Sequence, residues 1–519
     1  MQNKSFKFLS KNSNLIRLTV ILLFLLAAMS FFVFTQPFGD GPDEINRYKV
    51  VEYIANHGTI PVGDDPEIII DGYGASYAFQ PMLTYIVEGY LLFLLKPLSL
   101  STSVALVVAR FVNVIIGLIA AVYTYKLSLL LFKKNDAAFL FTLAVVLLPQ
   151  NIFIFTYVNT DGCGLLSCAM ILFALVKGFK TGFDKESVIT LGIGIILCLM
   201  SYYNCYGHVL AAFLAFILYY IVNKEIPKKE MFKKGGVIAL LVAIGAGWWF
   251  IRNMILYNGD IFALTARKIC AAETGNAAFL ETMAETYQAM GYSLREMVFG
   301  TDYYTLVWKS FIGMFGPMAI PISHYQYMIY KYLTIICLLG LVIGGIVKLI
   351  KRSDTVNADE STLPEQKKSS VVILCGAFAI CLVTPVILAL IYSYSWDFQP
   401  QGRYYLPILL ILAFILVKGL NKILNPIAGK LSKLSPKLSA MLYHIFSATN
   451  AVGSAAMIEK PAMKTSAARV LVKTVPIMSA LRRTAARAIA FPKPWRIRAL
   501  SAWRTSEISI CPWAFRILR

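Results

Sequence analysis

The stretch LTVILLFLLAAMSFFVF, residues 18–34, decides the class of this protein. It carries no charged side chain, and a helix of about this length covers most of the ~30 Å hydrocarbon core of a bilayer. It is preceded by Lys4, Lys7, Lys11 and Arg17 and is followed by no clear small-x-small cleavage site, so we interpret it as an uncleaved signal anchor. The basic residues on its N-terminal side predict a cytosolic N-terminus and an external position for the chain that follows.

Composition extends this interpretation to the whole chain. Apolar residues make up 58% of the 519 residues and charged residues only 15%, and the mean hydropathy is +0.66. A soluble protein could not hide that much apolar surface, because its own surface must be largely polar. Backbone groups within hydrocarbon must be satisfied inside each segment, which favours helices. We therefore predict an all-α, polytopic transmembrane helix bundle.

Matching each apolar run to the basic residues at its cytosolic end predicts ten spans. They cover residues 18–34, 103–132, 137–157, 164–176, 188–203, 209–222, 236–251, 327–350, 371–393 and 404–420. The moderately apolar segment 81–95 is instead predicted to be an interfacial or re-entrant helix on the outer side. This topology leaves three external loops, at about 39–102, 253–326 and 394–403, and the longer ones are expected to carry amphipathic helices.

The net charge of +21 is concentrated at the C-terminal end. Residues 1–425 hold 33 Lys and Arg against 26 Asp and Glu, which gives +7, whereas residues 426–519 hold 16 against 2, which gives +14. The body therefore has no nucleic-acid character, and we divide the chain into a transmembrane domain, 1–425, and a basic tail, 426–519. Either the tail is a cytosolic, membrane-surface segment, or a reading-frame change makes it non-native from about residue 459, which the loss of apolar periodicity favours.

Two adjacent acids follow the first span almost at once, in the sequence GDGPDE of residues 39–44. Gly and Pro predict a turn just above the bilayer. Asp43 and Glu44 would then lie near the headgroup plane, within reach of a lipid-linked phosphate. Partial desolvation there is expected to raise the carboxylate pKa and improve it as a base. The alternative is a solvated acid that only caps a helix beginning at Ile45.

Polar residues recur at the outer ends of other predicted spans. Asn159 and Asp161 end the third span, where both types are also common turn formers. Arg252 follows two tryptophans and could either reach the headgroups or bind a phosphate. His208 and His324 are further candidates for substrate contact, although a lone His is more often structural. The histidines and cysteines show no zinc-ligand spacing, and no nucleotide-binding motif is present.

The sequence QGRYY at 401–405 lies at the mouth of the last predicted span. Gly402 would let the backbone approach a ligand, and Arg403 offers a fork of donors to phosphate oxygens. Gln401 and Tyr404, on either side, are candidate substrate-binding residues.

Taken in order, these motifs resemble the bacterial membrane glycosyltransferases of the GT-C fold, over roughly residues 10–425. More narrowly, the chain is similar to the branch related to dolichyl-phosphate-mannose protein mannosyltransferases. The resemblance rests on PDE (42–44), YAFQP (77–81), ARFVN (109–113), LPQ (148–150), NTD (159–161), WWFIRN (248–253) and QGRY (401–404). It implies sugar transfer from a polyprenyl-phosphate carrier in the bilayer to a glycan or protein acceptor, on the extracytoplasmic face of the bacterial cytoplasmic membrane.

The resemblance also implies roles for individual residues. Asp43 would be the general base of an inverting transfer, with Glu44 beside it, and Arg403, Arg252 or Arg47 would stabilise the leaving phosphate. Related sequences often carry a His a few residues after the acid pair, where this chain has Ile-Asn-Arg at 45–47. That departure leaves a divalent metal unassigned, and no cofactor is assigned with certainty.

Two other functions remain open from the sequence. A transporter or flippase of a lipid-linked sugar would share the basic residues but need no base. A noncatalytic scaffold of the cell envelope would use the long loops to bind partners. Polar residues cluster at the outer rim rather than at the midplane, which disfavours a transporter.

Overall fold

The computed structural model describes residues 13–277, 279–280, 286–350 and 368–434. The predicted change of character after residue 459 therefore lies outside the described residues. The predicted domain boundary at residue 425 falls within the last described helix, which continues to Leu434.

The described part of the chain is 76% helical and has almost no strand, which confirms the predicted all-α class. The α-helices are α1 Ser13–Thr35, α2 Glu44–His57, α3 Leu83–Leu94, α4 Thr102–Leu131, α5 Asn135–Val146, α6 Pro149–Ile154, α7 Asp161–Thr181, α8 Lys185–Leu199, α9 Tyr206–Val222, α10 Lys228–Val242, α11 Trp248–Leu256, α12 Leu264–Thr274, α13 Leu294–Phe299, α14 Tyr303–Gly313, α15 His324–Ile350, α16 Lys368–Ser395 and α17 Leu409–Leu434. A π-helical turn, Ala243–Gly247, joins α10 to α11, and 3₁₀ segments form at Tyr77–Phe79, Lys96–Leu98, Tyr203–Cys205 and Gly402–Ile408. The strands β1 Met314–Phe315 and β2 Ile320–Pro321 pair antiparallel, Met314 opposite Pro321.

Among the described helices, 8 segments are long and apolar enough to cross a membrane. They are Ser13–Thr35, Thr102–Leu131, Asp161–Thr181, Tyr203–Val222, Lys228–Leu256, His324–Val347, Ser369–Ser395 and Gly402–Pro426. The chain is thus a polytopic membrane protein. Helix α3, with 12 residues, is too short to cross, in keeping with the interfacial or re-entrant helix predicted at 81–95.

Two of the ten predicted spans do not form a single long helix. Residues 137–157 divide into α5 and α6, because Leu148 is extended before Pro149, which starts a new helix. Residues 188–203 contribute only to α8, which has 15 residues and ends at Leu199. Mean hydropathy shows how long an apolar run is, but it does not show that a proline divides the run into two helices.

Helix α7 lies at the centre of the bundle and packs against α4 and α8. In its most apolar stretch, 94% of the residues are buried. Helices α10–α11 and α15 bury only 11% of theirs, so their apolar faces are available to lipid. Helices α15 and α17 pack closely because Gly419 faces the Cys337 carbonyl, which a Cβ at that position would overlap. Close contacts through small residues are typical of membrane helices.

Candidate active site

A buried ion pair between Glu44 and Arg110 organises the C-terminal end of the first span. Arg110 donates from Nε to Glu44 Oε1 at 2.7 Å and from Nη2 to Oε2 at 2.6 Å, and the two side chains are 2% or less exposed. Arg110 also donates to the carbonyls of Val33, Gln36 and Pro37. Since it joins the end of α1 to α2 and α4, this pair determines where the chain turns after leaving the bilayer.

Glu44 extends the same contact to the segment before α7. Its Oε1 also accepts from the Val158 backbone N–H at 3.1 Å, and its Oε2 accepts from Gly39 N–H at 3.2 Å. A buried carboxylate bonded in this way is satisfied at both oxygens. Both Glu44 oxygens therefore have partners within the protein, which argues against the catalytic role predicted from the sequence. Glu44 fixes the position of the neighbouring Asp43 relative to the segment that precedes α7.

Asp43 has a left-handed backbone, with φ 62° and ψ 10°, and its side chain makes no capping hydrogen bond to α2. This finding argues against the alternative of a simple helix cap. A non-glycine residue in this region of φ/ψ space costs of order 1–3 kcal/mol, although Asp tolerates it better than most. The carboxylate therefore caps no backbone N–H of α2.

The carboxylate of Asp43 meets two arginines. Arg403 Nη2 donates to Asp43 Oδ2 at 3.0 Å, although the two residues are 360 positions apart. Arg47 Nη2 lies 3.6 Å from the same oxygen, and Arg47 Nη1 lies 3.6 Å from Oδ1 of Asp161. The Asp43 side chain is 37% exposed, whereas the arginines and Asp161 are 7% or less. We name these four residues the charge cluster; only Asp43 opens to solvent.

Several buried polar atoms of the cluster have no hydrogen-bond partner. They are Nε and Nη1 of Arg47, Nε and Nη1 of Arg403, and Oδ2 of Asp161, together with the nearby phenolic oxygen of Tyr157. Buried donors are rarely left unpaired unless a ligand, ion or water takes the bond. The four unpaired N–H-bearing atoms are suited to the oxygens of an anion.

Tyrosines surround the two guanidinium groups. The Arg47 guanidinium carbon lies 5.3 Å from the Tyr77 ring centroid, and that of Arg403 lies 5.2 Å from the Tyr404 ring. Tyr157 closes the side facing Gly41, where a Cβ would come within 2.7 Å of the ring. Such cation–π contacts hold each guanidinium in one plane. Neither Tyr77, in the YAFQP motif, nor Tyr157 is recognisable as a site residue from sequence, because a tyrosine by itself does not signal a site.

Electrostatics at Asp43 differ from the sequence-based expectation. Burial raises the pKa of this carboxyl group, but the charges of Arg403 and Arg47 and the Arg403 hydrogen bond outweigh that effect, so its pKa lies below the ordinary value of 3.8. The predicted upward shift is therefore wrong, because the sequence did not show that two arginines converge on one acid. Asp43 is a carboxylate throughout the neutral range.

Gly402 positions Arg403 in a way that differs from its predicted role. Its backbone approaches α14 rather than a ligand: Gly402 N–H donates to Ser310 Oγ at 2.6 Å, and a Cβ on Gly402 would overlap the backbone of Phe311. The absence of a side chain lets the last span begin directly against α14.

We expect Gly402→Ala to destabilise the protein by about 1–3 kcal/mol, because α14 or the start of the last span must shift. Gly376→Ala in α16, where nothing lies within 4 Å of the new Cβ, is the matched control. It should be neutral or stabilising by up to about 1 kcal/mol. Thermal unfolding in detergent measures both, and equal shifts would contradict the packing described for Gly402.

Two predicted site residues take part in local structure instead. Asn159 donates to the carbonyls of Ile154 and Tyr157 and accepts from Gly162 N–H at 3.0 Å, so it forms the turn before α7. Arg252 donates from Nη2 to the Pro61 carbonyl at 2.6 Å, which ties the segment between α2 and α3 to α11. Neither makes a described hydrogen bond or ion pair with the charge cluster.

The remaining candidates are dispersed. His208 is fully buried in α9 beside Cys168 and Cys381, and His324 is exposed at the start of α15 next to Tyr325. Gln401 donates to the side chain of Gln399. Tyr404 alone joins the cluster, since its hydroxyl accepts from Arg403 Nη2 at 3.3 Å.

The class of the protein is thus a polytopic membrane protein, and its fold is similar to that of solved structures of the GT-C type. An archaeal oligosaccharyltransferase, AglB from Archaeoglobus fulgidus, in complex with an inhibitory peptide and a dolichol-phosphate, is 13% identical, with a TM-score of 0.51 over 87% of this chain and 56% of that one. This chain thus matches little more than half the length of that enzyme. The chain belongs to the family described as Predicted membrane protein (DUF2142), whose model matches residues 74–412.

Two other structures are similar at a lower level. The Archaeoglobus fulgidus oligosaccharyltransferase tethered to an acceptor peptide is 15% identical, with a TM-score of 0.49 over 88% of this chain and 55% of that one. ArnT from Cupriavidus metallidurans, bound to undecaprenyl phosphate, is 11% identical, with a TM-score of 0.33 over 79% of this chain and 78% of that one. No curated protein matches the sequence.

Proposed function

We propose that this protein is an inverting membrane glycosyltransferase that moves a sugar from a polyprenyl-phosphate donor to a glycan or protein acceptor. The observation that carries the proposal is the environment of Asp43. One partly exposed carboxylate, in a left-handed backbone conformation, lies against two buried arginines that have unpaired N–H donors. An acid to accept a proton and cations to hold a leaving phosphate are thus adjacent.

The location of the cluster at one end of the bundle supports a donor that resides in the bilayer. Asp43 follows the end of the span Ser13–Thr35, while Asp161 and Arg403 begin the spans Asp161–Thr181 and Gly402–Pro426. Three candidate membrane helices therefore bring their ends to one site, which suits a donor whose phosphate lies at the membrane surface. The basic N-terminus predicts that this is the extracytoplasmic side of the cytoplasmic membrane.

The proposed reaction needs one base and one cationic pocket. Asp43 takes the proton from the acceptor hydroxyl as that oxygen forms a bond to the anomeric carbon. The bond from that carbon to the phosphate oxygen breaks on the opposite face, and the polyprenyl phosphate leaves with the electron pair, so the configuration inverts. A carboxylate of low pKa suffices, because the hydroxyl becomes strongly acidic as the new bond forms.

Arg403 and Arg47 would stabilise the charge that develops on the leaving phosphate. Their unpaired N–H groups are fixed in place before the reaction, so little reorganisation is needed. A single preorganised donor of this kind is worth about 3–4 kcal/mol. Glu44 is proposed as a positioning residue rather than a base, and Arg252 is no longer proposed for the phosphate.

The two rival functions are less well supported. A transporter needs its substrate site near the midplane of the membrane, whereas the cluster lies at the ends of three spans. A scaffold has no use for buried, unpaired arginine donors or for strain at a carboxylate.

We expect Arg403→Ala to lower transfer from a radiolabelled polyprenyl-phosphate sugar by about 10²–10³-fold, since it removes charge stabilisation at the leaving phosphate. Arg295→Ala, an exposed arginine on α13, is the matched control and should retain transfer. The measurement is kcat/KM in reconstituted vesicles. Similar rates for the two variants would argue against a phosphate at Arg403.

The same variant should change the pH profile in a defined direction. In the wild type the lowered pKa of Asp43 keeps the base ionised, so transfer should fall only as the pH drops below the ordinary Asp value of 3.8. Without Arg403, burial still raises that pKa while the largest opposing charge is gone, so the acid limb should move to higher pH. An acid limb that stays in place would mean that another group is the base.

A further inference from the structure

The guanidinium group of Arg47 lies between the two carboxylates of the charge cluster. Its Nη2 is 3.6 Å from Asp43 Oδ2, and its Nη1 is 3.6 Å from Asp161 Oδ1. The Tyr77 ring lies against the same group, and the side chain is 6% exposed. A fixed monovalent cation therefore occupies the space between the acids.

The residues present do not fit a divalent metal, which the family resemblance left open. Mg²⁺ and Ca²⁺ need six or more oxygen ligands at about 2.0–2.6 Å, with at least some supplied by protein carboxylates. Within the described ranges, no group of three His, Cys, Asp or Glu side chains is placed to hold a metal ion. Asp43 and Asp161 are the two acids of the cluster, and both already face Arg47.

The remaining acids near the cluster cannot complete such a site. Both oxygens of Glu44 already accept hydrogen bonds, from Arg110 and from two backbone N–H groups. Glu88 of α3 accepts from Asn113 at 2.7 Å and is fully buried; burial and the charge of Glu44 raise its pKa well above its usual range. The cluster itself, with two arginines and two aspartates, is neutral, so a dication would add charge beside two buried guanidinium groups.

We propose that Arg47 does the electrostatic work at this site that a divalent cation would otherwise do, and that the protein binds no metal between Asp43 and Asp161. This inference rests on the proposed function. The guanidinium supplies a permanent positive charge and directed N–H donors to a phosphate oxygen, without depending on dissolved cations. It also prevents the two carboxylates from converging on a shared ion.

The test uses the full chain in vesicles, with a radiolabelled polyprenyl-phosphate sugar as the donor. Transfer in EDTA should lie within about twofold of transfer in Mn²⁺. Arg47→Lys keeps the charge but loses the planar fork, so it should lower transfer by about tenfold or more in both buffers. A loss of about tenfold in EDTA that Mn²⁺ restores would overturn the inference.

Direct metal binding provides a readout that does not depend on activity. Electron paramagnetic resonance of Mn²⁺ with the wild type and with Asp161→Asn should show the same, nonspecific binding. One bound Mn²⁺ per chain that Asp161→Asn abolishes would refute the role of Arg47, whether or not transfer occurs. If no transfer is seen in either buffer while Mn²⁺ binding stays nonspecific, the proposed function fails and the absence of a metal site stands.

Discussion

Asp43→Asn is expected to lower transfer by about 10²–10⁴-fold while the protein folds and binds donor as before, since an amide cannot accept the proton of the acceptor hydroxyl. Asn tolerates the left-handed backbone that this position requires. The Asn amide oxygen can still accept from Arg403, but two buried arginines lose a counter-charge, so a stability loss of about 1–3 kcal/mol is expected. The measurement is single-turnover transfer, together with donor binding and thermal unfolding of the same preparation.

Asp64→Asn is the matched control for this variant. Asp64 also lies between the first two candidate spans and is exposed, but it makes no described hydrogen bond or ion pair with the charge cluster. It should transfer at the wild-type rate. Transfer by Asp43→Asn at the control's level would falsify the assignment of Asp43 as base. If donor binding is lost while the chemical step is unchanged, the role of Asp43 is to hold the two arginines in place.

Arg110→Ala is expected to have the largest effect on stability. It leaves the Glu44 carboxylate buried and uncompensated and frees three backbone carbonyls at the end of α1. Removing one partner of a buried pair typically costs about 3–5 kcal/mol. We expect a loss of this size in thermal or denaturant unfolding in detergent, and loss of transfer in whatever protein still folds.

Two variants make the result specific to the buried pair. Arg17→Ala removes a partly exposed arginine from its pair with Asp136, 2.7 Å apart, and should cost only about 0–1 kcal/mol. Combining Glu44→Leu with Arg110→Met removes both buried charges and should recover much of the stability without restoring transfer. Similar losses for Arg110→Ala and Arg17→Ala would show that Glu44 and Arg110 do not organise the C-terminal end of α1.

The fold class was predictable because a membrane imposes a single physical requirement. Backbone groups in hydrocarbon must bond within their own segment, so apolar length and flanking lysines were enough to predict a helical bundle. The same reasoning missed the division at Pro149 and the early end of α8, because neither changes the mean hydropathy of its run.

The candidate site was predictable only in part. Position after the first span drew attention to Asp43, and position at the mouth of the last span drew attention to Arg403. The adjacent Glu44 could not be told apart from Asp43, since the two acids have the same chemistry. The two side chains point in different directions, so Glu44 forms a buried ion pair while the Asp43 carboxylate is partly exposed. Arg252 and Asn159 matched the pattern of ligand-binding residues, yet Asn159 bonds to the backbone of its own turn and Arg252 bonds through Nη2 to the Pro61 carbonyl.

The sequence by itself determined that this is a polytopic membrane protein, from the apolar stretch at 18–34 and its repetition along the chain. Only the tertiary structure brought together Asp43 and Arg403, 360 residues apart, and placed Arg47 between two aspartates. The physical reason is that the two kinds of property depend on residues at different separations along the chain. Crossing a bilayer depends on the hydropathy of each segment alone, whereas the pKa of a carboxyl group and the space for a metal depend on side chains that arrive from distant helices.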